Sequence, residues 1–301
     1  MRERFEIKFD ENTNLVGYKW SDPNIKKIGC VQIAHGINEH VLRYERLANY
    51  LNSHGITVIA ADHYHQGESC EDPSQKLIVK DYDFLDSILK SIQLIREELD
   101  YEFTGYTCLY AHSMGAIATQ TYIQKIPDDF RKIILSGADI GTFKYKFLKL
   151  LTQKSFKNKD FYTSTKLVRK LTLERFNKKF DINHICSWIS SDIESIKNYE
   201  NDPLCGGEIP DINYYSLSNA IMNSYQTKNI EKINKNLKIL LISGKEDPVS
   251  NFTKSTKKLY KKYKKAGLSV SMKLYDNMRH EPHNELNNEE FYRDILRFIV
   301  K

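Results

Sequence analysis

The sequence predicts an α/β protein: a mostly parallel sheet with helices on both faces, interrupted by a mainly helical insertion. Three observations predict it. Between residues 28 and 140, short apolar runs alternate with amphipathic stretches in the order strand, helix, strand, helix, strand, helix, strand. That is the rhythm of parallel strands joined by crossover helices. From 141 to about 230 the rhythm stops and helical periodicity takes over, and from 237 it resumes. Finally, a chain of 301 residues is long enough for one large α/β core carrying such an insertion. The expected division is a core from 1–140 and 231–301 and a cap from 141–230.

Each element has its own reason. Residues 4–9 alternate and 15–20 are short and aromatic, so both read as antiparallel edge strands. Residues 28–34, IGCVQIA, are almost continuously apolar, as a strand covered on both faces must be. Leu42, Leu47 and Leu51 fall on related faces of a helix over 41–53, and Gly55 ends it. Residues 56–61, ITVIAA, form the next buried strand. Phe84, Leu85, Ile88, Leu89, Ile92 and Ile95 give a helix over 82–99 its apolar face. A strand at 107–111, a helix at 114–125 with Pro127 behind it, and a strand at 132–136 complete the first segment. After the insertion come a strand at 237–242, a helix at 252–266, a strand at 269–275 and a helix at 289–300, giving eight strands in all.

Composition narrows the class. Hydrophobic residues make up 41% of the chain, and the mean hydropathy is −0.54, which suits a folded globular protein. No apolar run approaches the roughly 18 residues that cross a bilayer. The opening MRERFEIKFDENT has no hydrophobic centre and is not expected to be a secretory signal. The five cysteines are odd in number and form no CxxC pair. Reduced thiols in a cytoplasmic protein are therefore expected, with no disulfide framework. No Cys/His group has metal-ligand spacing, so no metal site is expected.

The chemistry gathers in the loops that follow strands. Ala111-His112-Ser113-Met114-Gly115 lies where the strand 107–111 meets the helix 114–125. A serine held on so tight a turn needs small residues two before and two after it, because strand and helix nearly touch there. Free N–H groups at the helix start, and its dipole, suit a developing oxyanion. Asp247 follows the strand 237–242 and His280 follows the strand 269–275. Both lie at the strand ends where doubly wound sheets open their crevice. Taken singly, Ser113 reads as an N-cap, Asp247 as an Asp-Pro turn residue and His280 as an exposed loop histidine. Taken together and in this chain order, they read as nucleophile, orienting acid and base. His35-Gly36-Ile37 follows the strand 28–34. Gly36 lets the backbone turn, so that the N–H groups of Ile37 and Met114 form an oxyanion hole. His35 and His40 are expected to brace that loop, and Gly115 to support the turn at Ser113.

These residues resemble the monoacylglycerol lipase and lysophospholipase branch of the α/β-hydrolases, among the serine aminopeptidase S33-type hydrolases. The matching runs are HGINEHVLRYERLANYL (35–51), VIAADHYHQGES (58–69), AHSMGA (111–116), LISGKEDPVS (241–250) and RHEPHNE (279–285). ENDPLC (200–205) looks like the family's cap-end motif. The resemblance implies an eight-stranded α/β-hydrolase fold with a helical cap. It implies Ser113 as nucleophile, His280 as base, Asp247 as its orienter, and Ile37 and Met114 as oxyanion donors. It also implies ester hydrolysis through an acyl-enzyme without metal or organic cofactor. Three positions depart from the pattern. Ala111 replaces the first glycine of G-x-S-x-G, His65-Gln66 replaces Gly-His in the 62–69 loop, and His283 adds a second histidine near His280.

Within the insertion, residues 143–180 carry twelve Lys and Arg against Asp160 and Glu174, interleaved with apolar and aromatic residues. That pattern suits first a roof with an apolar underside and solvated lysines, and second a lid lying on anionic lipid. A second basic run, 254–265, has seven lysines and no acid. No nucleic-acid module accompanies either run, so nucleic-acid binding is not expected. The expected partner is a lipid-like ester, with peripheral contact at an anionic inner membrane surface. The same fold also hosts short-chain carboxylesterases, thioesterases and aminopeptidases, and a non-catalytic hydrolase-like binding protein is the alternative of another class.

Overall fold

The computed structural model describes residues 1–100, 107–180 and 183–301. The core elements before the insertion are β1 (Arg2–Lys8), β2 (Asn14–Trp20), β3 (Gly29–Ala34), α1 (Glu45–Ser53), β4 (Ile56–Ala61), α2 (Phe84–Asp100), β5 (Thr107–His112), α3 (Met114–Lys125) and β6 (Lys132–Ser136). The insertion supplies α4 (Phe143–Lys157), α5 (Lys166–Leu171), α6 (Leu173–Phe176), α7 (Ile193–Asn201), α8 (Asp211–Ser224) and α9 (Thr227–Ile230). The chain then closes with β7 (Lys238–Gly244), α10 (Lys254–Lys265), β8 (Ser269–Tyr275) and α11 (Glu289–Val300).

All eight strands join one sheet in the order β1-β2-β4-β3-β5-β6-β7-β8. β2 runs antiparallel to both β1 and β4, and the other pairs are parallel. This is the α/β-hydrolase arrangement that the sequence implies. One expectation needs correcting: β2 is not an edge strand, because β4 pairs with its second side. Its burial fits that place, since five of its seven residues are buried while β1 stays exposed. The far edge is β8, which alternates exposed and buried residues.

Alternate residues of the central strands feed two separate cores. Leu109, Leu135 and Leu241 face α2, α3 and α10, whereas Tyr110, Ile134 and Leu240 face α1 and α11. This two-sided cover is why β3, β4, β5 and β6 are buried throughout. The insertion is not isolated from the core. Leu148, Tyr214, Leu217 and Ile221 share one apolar cluster with α2 and α3. A smaller cluster of Trp188, Ile189, Ile196 and Tyr199 reaches Val249 in the loop after β7.

The chain leaves β3 toward β4 on one side, and β5 returns to its other side. This reversal opens a crevice at the carboxyl ends of β3 and β5. The loops holding Gly36 and Ser113 meet there.

Candidate active site

Ser113 stands alone between β5 and α3, with φ 50° and ψ −114°. For a non-glycine residue this is a strained conformation, held only because its surroundings over-determine it. The Ser113 N–H donates to Ser136 O at 2.9 Å, so the turn is fastened to the neighbouring strand. Gly115 is required by packing: a Cβ there would collide with the carbonyl oxygens of Ala34 and His35. Ala111 is fully buried, and its extra methyl joins the apolar cluster beneath α3. The departure from glycine at that position is thus absorbed by the core.

His280 and Asp247 form a buried pair. His280 Nδ1 lies 3.0 Å from Asp247 Oδ1, and the same oxygen accepts the Val249 N–H at 2.8 Å. Burial disfavours the imidazolium, but the charge and hydrogen bond of Asp247 outweigh it and raise the His280 pKa above the ordinary histidine value. His280 Nε2 is buried without a partner, so no hydrogen bond joins it to Ser113 in this state. Both side chains nevertheless line one cavity of about 190 Å³, and such bonds often tighten only when substrate binds.

His283 is differently placed. Its ring stacks on Tyr44 with centroids 4.4 Å apart, and Nδ1 lies 3.3 Å from the Tyr110 hydroxyl. Burial pushes its pKa down to about 3, which keeps the ring neutral. The structure therefore brings His280, not His283, onto the carboxylate of Asp247.

The loop after β3 supplies the facing wall. Gly36, Ile37 and Met114 line the same cavity as Ser113 and His280. Among the described residues, the Ile37 and Met114 N–H groups make no hydrogen bond. His35 is fully buried. Its Nε2 accepts the His63 N–H at 2.9 Å, so Nδ1 carries the proton and donates to Gly36 O at 2.7 Å. His40 instead pairs with Asp202 of the insertion at 2.8 Å. Beyond the loop, Arg43 is buried between Glu39 and Glu281 and donates to Glu281. Burial works against Arg43's charge, yet the two carboxylates raise its pKa. Glu39 is pushed up to about 7, chiefly by burial.

Sequence reasoning missed several participants. Gly137, with φ 62°, follows β6, and a Cβ there would stand 2.7 Å from His280 Cε1. Trp188 packs its ring 5.2 Å from that of His280. The backbone of the insertion also holds the His280 loop, since Glu281 N–H donates to Ile189 O at 2.7 Å. Arg279 Nη1 donates to Ser187 O and Ser190 O at 2.6 and 2.8 Å. Gly137 carried a legible signal, being a glycine just past a strand end. The contacts from 187–190 carried none, because they join segments about ninety residues apart.

The family model described as serine aminopeptidase, S33, matches residues 25–287. The chain belongs to this α/β-hydrolase family. Members of it carry the hydrolase fold seen here. A monoglyceride lipase homolog of Monkeypox virus is 24% identical over 293 residues, covering 97% of this chain and 95% of its own. A thermostable carboxyl esterase from Bacillus coagulans, solved with glycerol, superposes with a TM-score of 0.91 at 21% identity, covering 100% of this chain and 99% of its own. The Paleococcus ferrophilus monoacylglycerol lipase gives a TM-score of 0.72 at 22% identity, over 95% and 98% of the two chains. No described helix is long and apolar enough to cross a membrane.

Proposed function

We propose that this family member is a serine carboxylic-ester hydrolase acting on monoacylglycerols or lysophospholipids. The observation that carries the reading is the strained Ser113 turn sharing one cavity with His280, which pairs with Asp247, beneath an apolar roof. Ser113 Oγ attacks the ester carbonyl while His280 Nε2 takes its proton. The N–H groups of Ile37 and Met114 receive the oxyanion, each lowering the barrier by about 3 kcal/mol. His280 then protonates the departing alcohol, leaving an acyl-Ser113 ester. Water, deprotonated by His280, releases the carboxylic acid. Asp247 keeps the imidazole oriented and stabilises its cation. The cycle needs no metal or organic cofactor.

The shape of the cavity supports a lipid-like substrate. Ile117, Phe147, Leu148, Leu171 and Leu217 line one part of it, suited to an acyl chain. His112 Nδ1 is buried without a hydrogen-bond partner on a residue that lines the same cavity. Such an atom favours an alcohol with a free hydroxyl. The names of two relatives, a monoglyceride lipase homolog and a monoacylglycerol lipase, point the same way.

The outer face of α4 supports contact with an anionic membrane. Phe143 is 82% and Leu150 65% exposed, beside lysines of the strongly basic stretch 143–180.

The test is hydrolysis of p-nitrophenyl esters of increasing chain length, beside 1-monoacylglycerol, lysophosphatidylcholine and an aminoacyl p-nitroanilide. Long-chain esters should be preferred, and Ser113→Ala should be inert. Preference for acetyl esters would remove the lipid assignment, and cleavage of the anilide alone would make the protein an aminopeptidase. Co-sedimentation should favour anionic over neutral vesicles, and equal weak binding to both would end the membrane reading.

A further inference from the structure

We propose that His40, Asp202 and Cys205 bind a zinc-like divalent cation that clips the loop after β3 to the end of the insertion. Each residue offers one donor atom, and the three atoms lie within 4.8 Å of one another. His40 and Cys205 are buried, and Asp202 is half-buried. One imidazole nitrogen, one carboxylate oxygen and one thiolate make a donor set suited to zinc. Tetrahedral zinc holds such donors about 3.3–3.6 Å apart. The 2.8 Å contact of His40 Nε2 with Asp202 Oδ2 therefore opens slightly and the Cys205 thiol swings in.

The backbone prepares this arrangement. Asp202 Oδ1 accepts the Leu204 N–H at 2.8 Å, and Cys205 N–H donates to Asp202 O at 3.0 Å. Lys76 Nζ donates to the carbonyls of Pro203 and Cys205 at 3.1 and 3.0 Å. Gly206 N–H donates to Asn38 O at 2.9 Å, which ties the turn to the loop that carries His40. Both donor segments are thus held before a cation arrives. A surface groove lined by His40, Asp202, Asp192 and Glu194 gives access from the side of the His40–Asp202 pair. Arg43 also borders this groove, but its charge is matched by Glu39 and Glu281. On binding, Cys205 enters as thiolate and its proton leaves to water.

The local spacing that argued against a metal site could not reveal this one. Asp-x-x-Cys supplies two donors, and the third lies 162 residues upstream of Asp202. The proposal is independent of the catalytic reading.

The test uses the full chain, stripped with a chelator and titrated with Co²⁺ and with Zn²⁺. One Co²⁺ per chain should bind with a thiolate-to-cobalt charge-transfer band. Cys205→Ser should remove the band and weaken Zn²⁺ binding at least tenfold while melting, metal-free, at the wild-type temperature. Asp202→Asn should also weaken binding, and Cys186→Ser should change neither readout. A wild type without the band, or a band that survives Cys205→Ser, overturns the proposal.

Discussion

Ser113 holds a backbone conformation that L-residues avoid, and the strain is stored at the residue proposed to react. Such strain costs about 1–3 kcal/mol. Replacing Ser113 by glycine relieves it and removes the nucleophile together. Ser113→Gly should therefore raise the unfolding free energy in urea titrations by about 1 kcal/mol, while losing at least about 10³-fold in ester hydrolysis. A destabilised and still active Ser113→Gly would contradict both halves. His280 gives the second residue-scale prediction. Its pKa is raised, burial being overcome by Asp247, and a general base works only when neutral. Activity should fall as pH drops through one ionisation, centred above the ordinary histidine value of about 6.5. An acid limb centred well below 6.5 in a pH profile of kcat/KM would show that another group sets it. The order of Ser113, Asp247 and His280 was legible because each follows a strand that its own apolar run announces. The choice between His280 and His283 was not, since only tertiary packing puts one on Asp247 and the other against Tyr44.

At the scale of elements, apolar periodicity located every strand and every long core helix. It failed where backbone conformation departs from pattern. The helix expected from residue 252 begins at Lys254, because Asn251, Phe252 and Thr253 all adopt positive φ. Three left-handed residues in succession cannot open a right-handed helix, and no side-chain pattern announces them. The 62–69 loop shows the converse. Where the family pattern has glycine, His65 keeps φ 56°, so the turn survives the substitution. The segment 187–191 is the element that the sequence hid most completely. Arg279 and Glu285 fasten it to the His280 loop, with Glu285 Oε2 accepting the Ser191 N–H at 2.9 Å. Replacing Arg279 by methionine keeps its bulk and removes both bonds to that segment. Arg279→Met should lower kcat about tenfold through a loosened His280, with KM changed much less. An unchanged kcat in steady-state assays would free the His280 loop from dependence on the insertion.

For the whole molecule, the net charge of +6 conceals a division. Residues 143–180 carry +10 and 251–265 carry +7, which leaves the remainder at −11. The basic charge is thus concentrated in the insertion between β6 and β7 and in the segment around α10, and the rest of the chain is acidic. Beneath that surface, burial holds four histidines neutral. His63 is pushed down to about 4 and His283 to about 3, and His35 and His112 lie well below their ordinary value. Groups depressed in this way give stability that is present above the unfolded value of about 6.5 and lost as pH falls through the folded values. Asp62 and Glu39, both raised to about 7 by burial, act in the opposite sense over the same window. Four against two leaves the unfolded chain binding more protons. Unfolding free energy should drop by roughly 1–3 kcal/mol per pH unit between pH 6.5 and about 4. Urea titrations at pH 7 and pH 5 would check this, and equal stability at both would contradict it.

The central claim is that Ser113 is a nucleophile activated by His280. The most direct measurement is labelling of the whole protein with a fluorophosphonate, followed by peptide mass mapping. One adduct should form, on Ser113. It should be absent from Ser113→Ala and much slower in His280→Ala. An unlabelled protein, or a label on any other residue, would contradict the account.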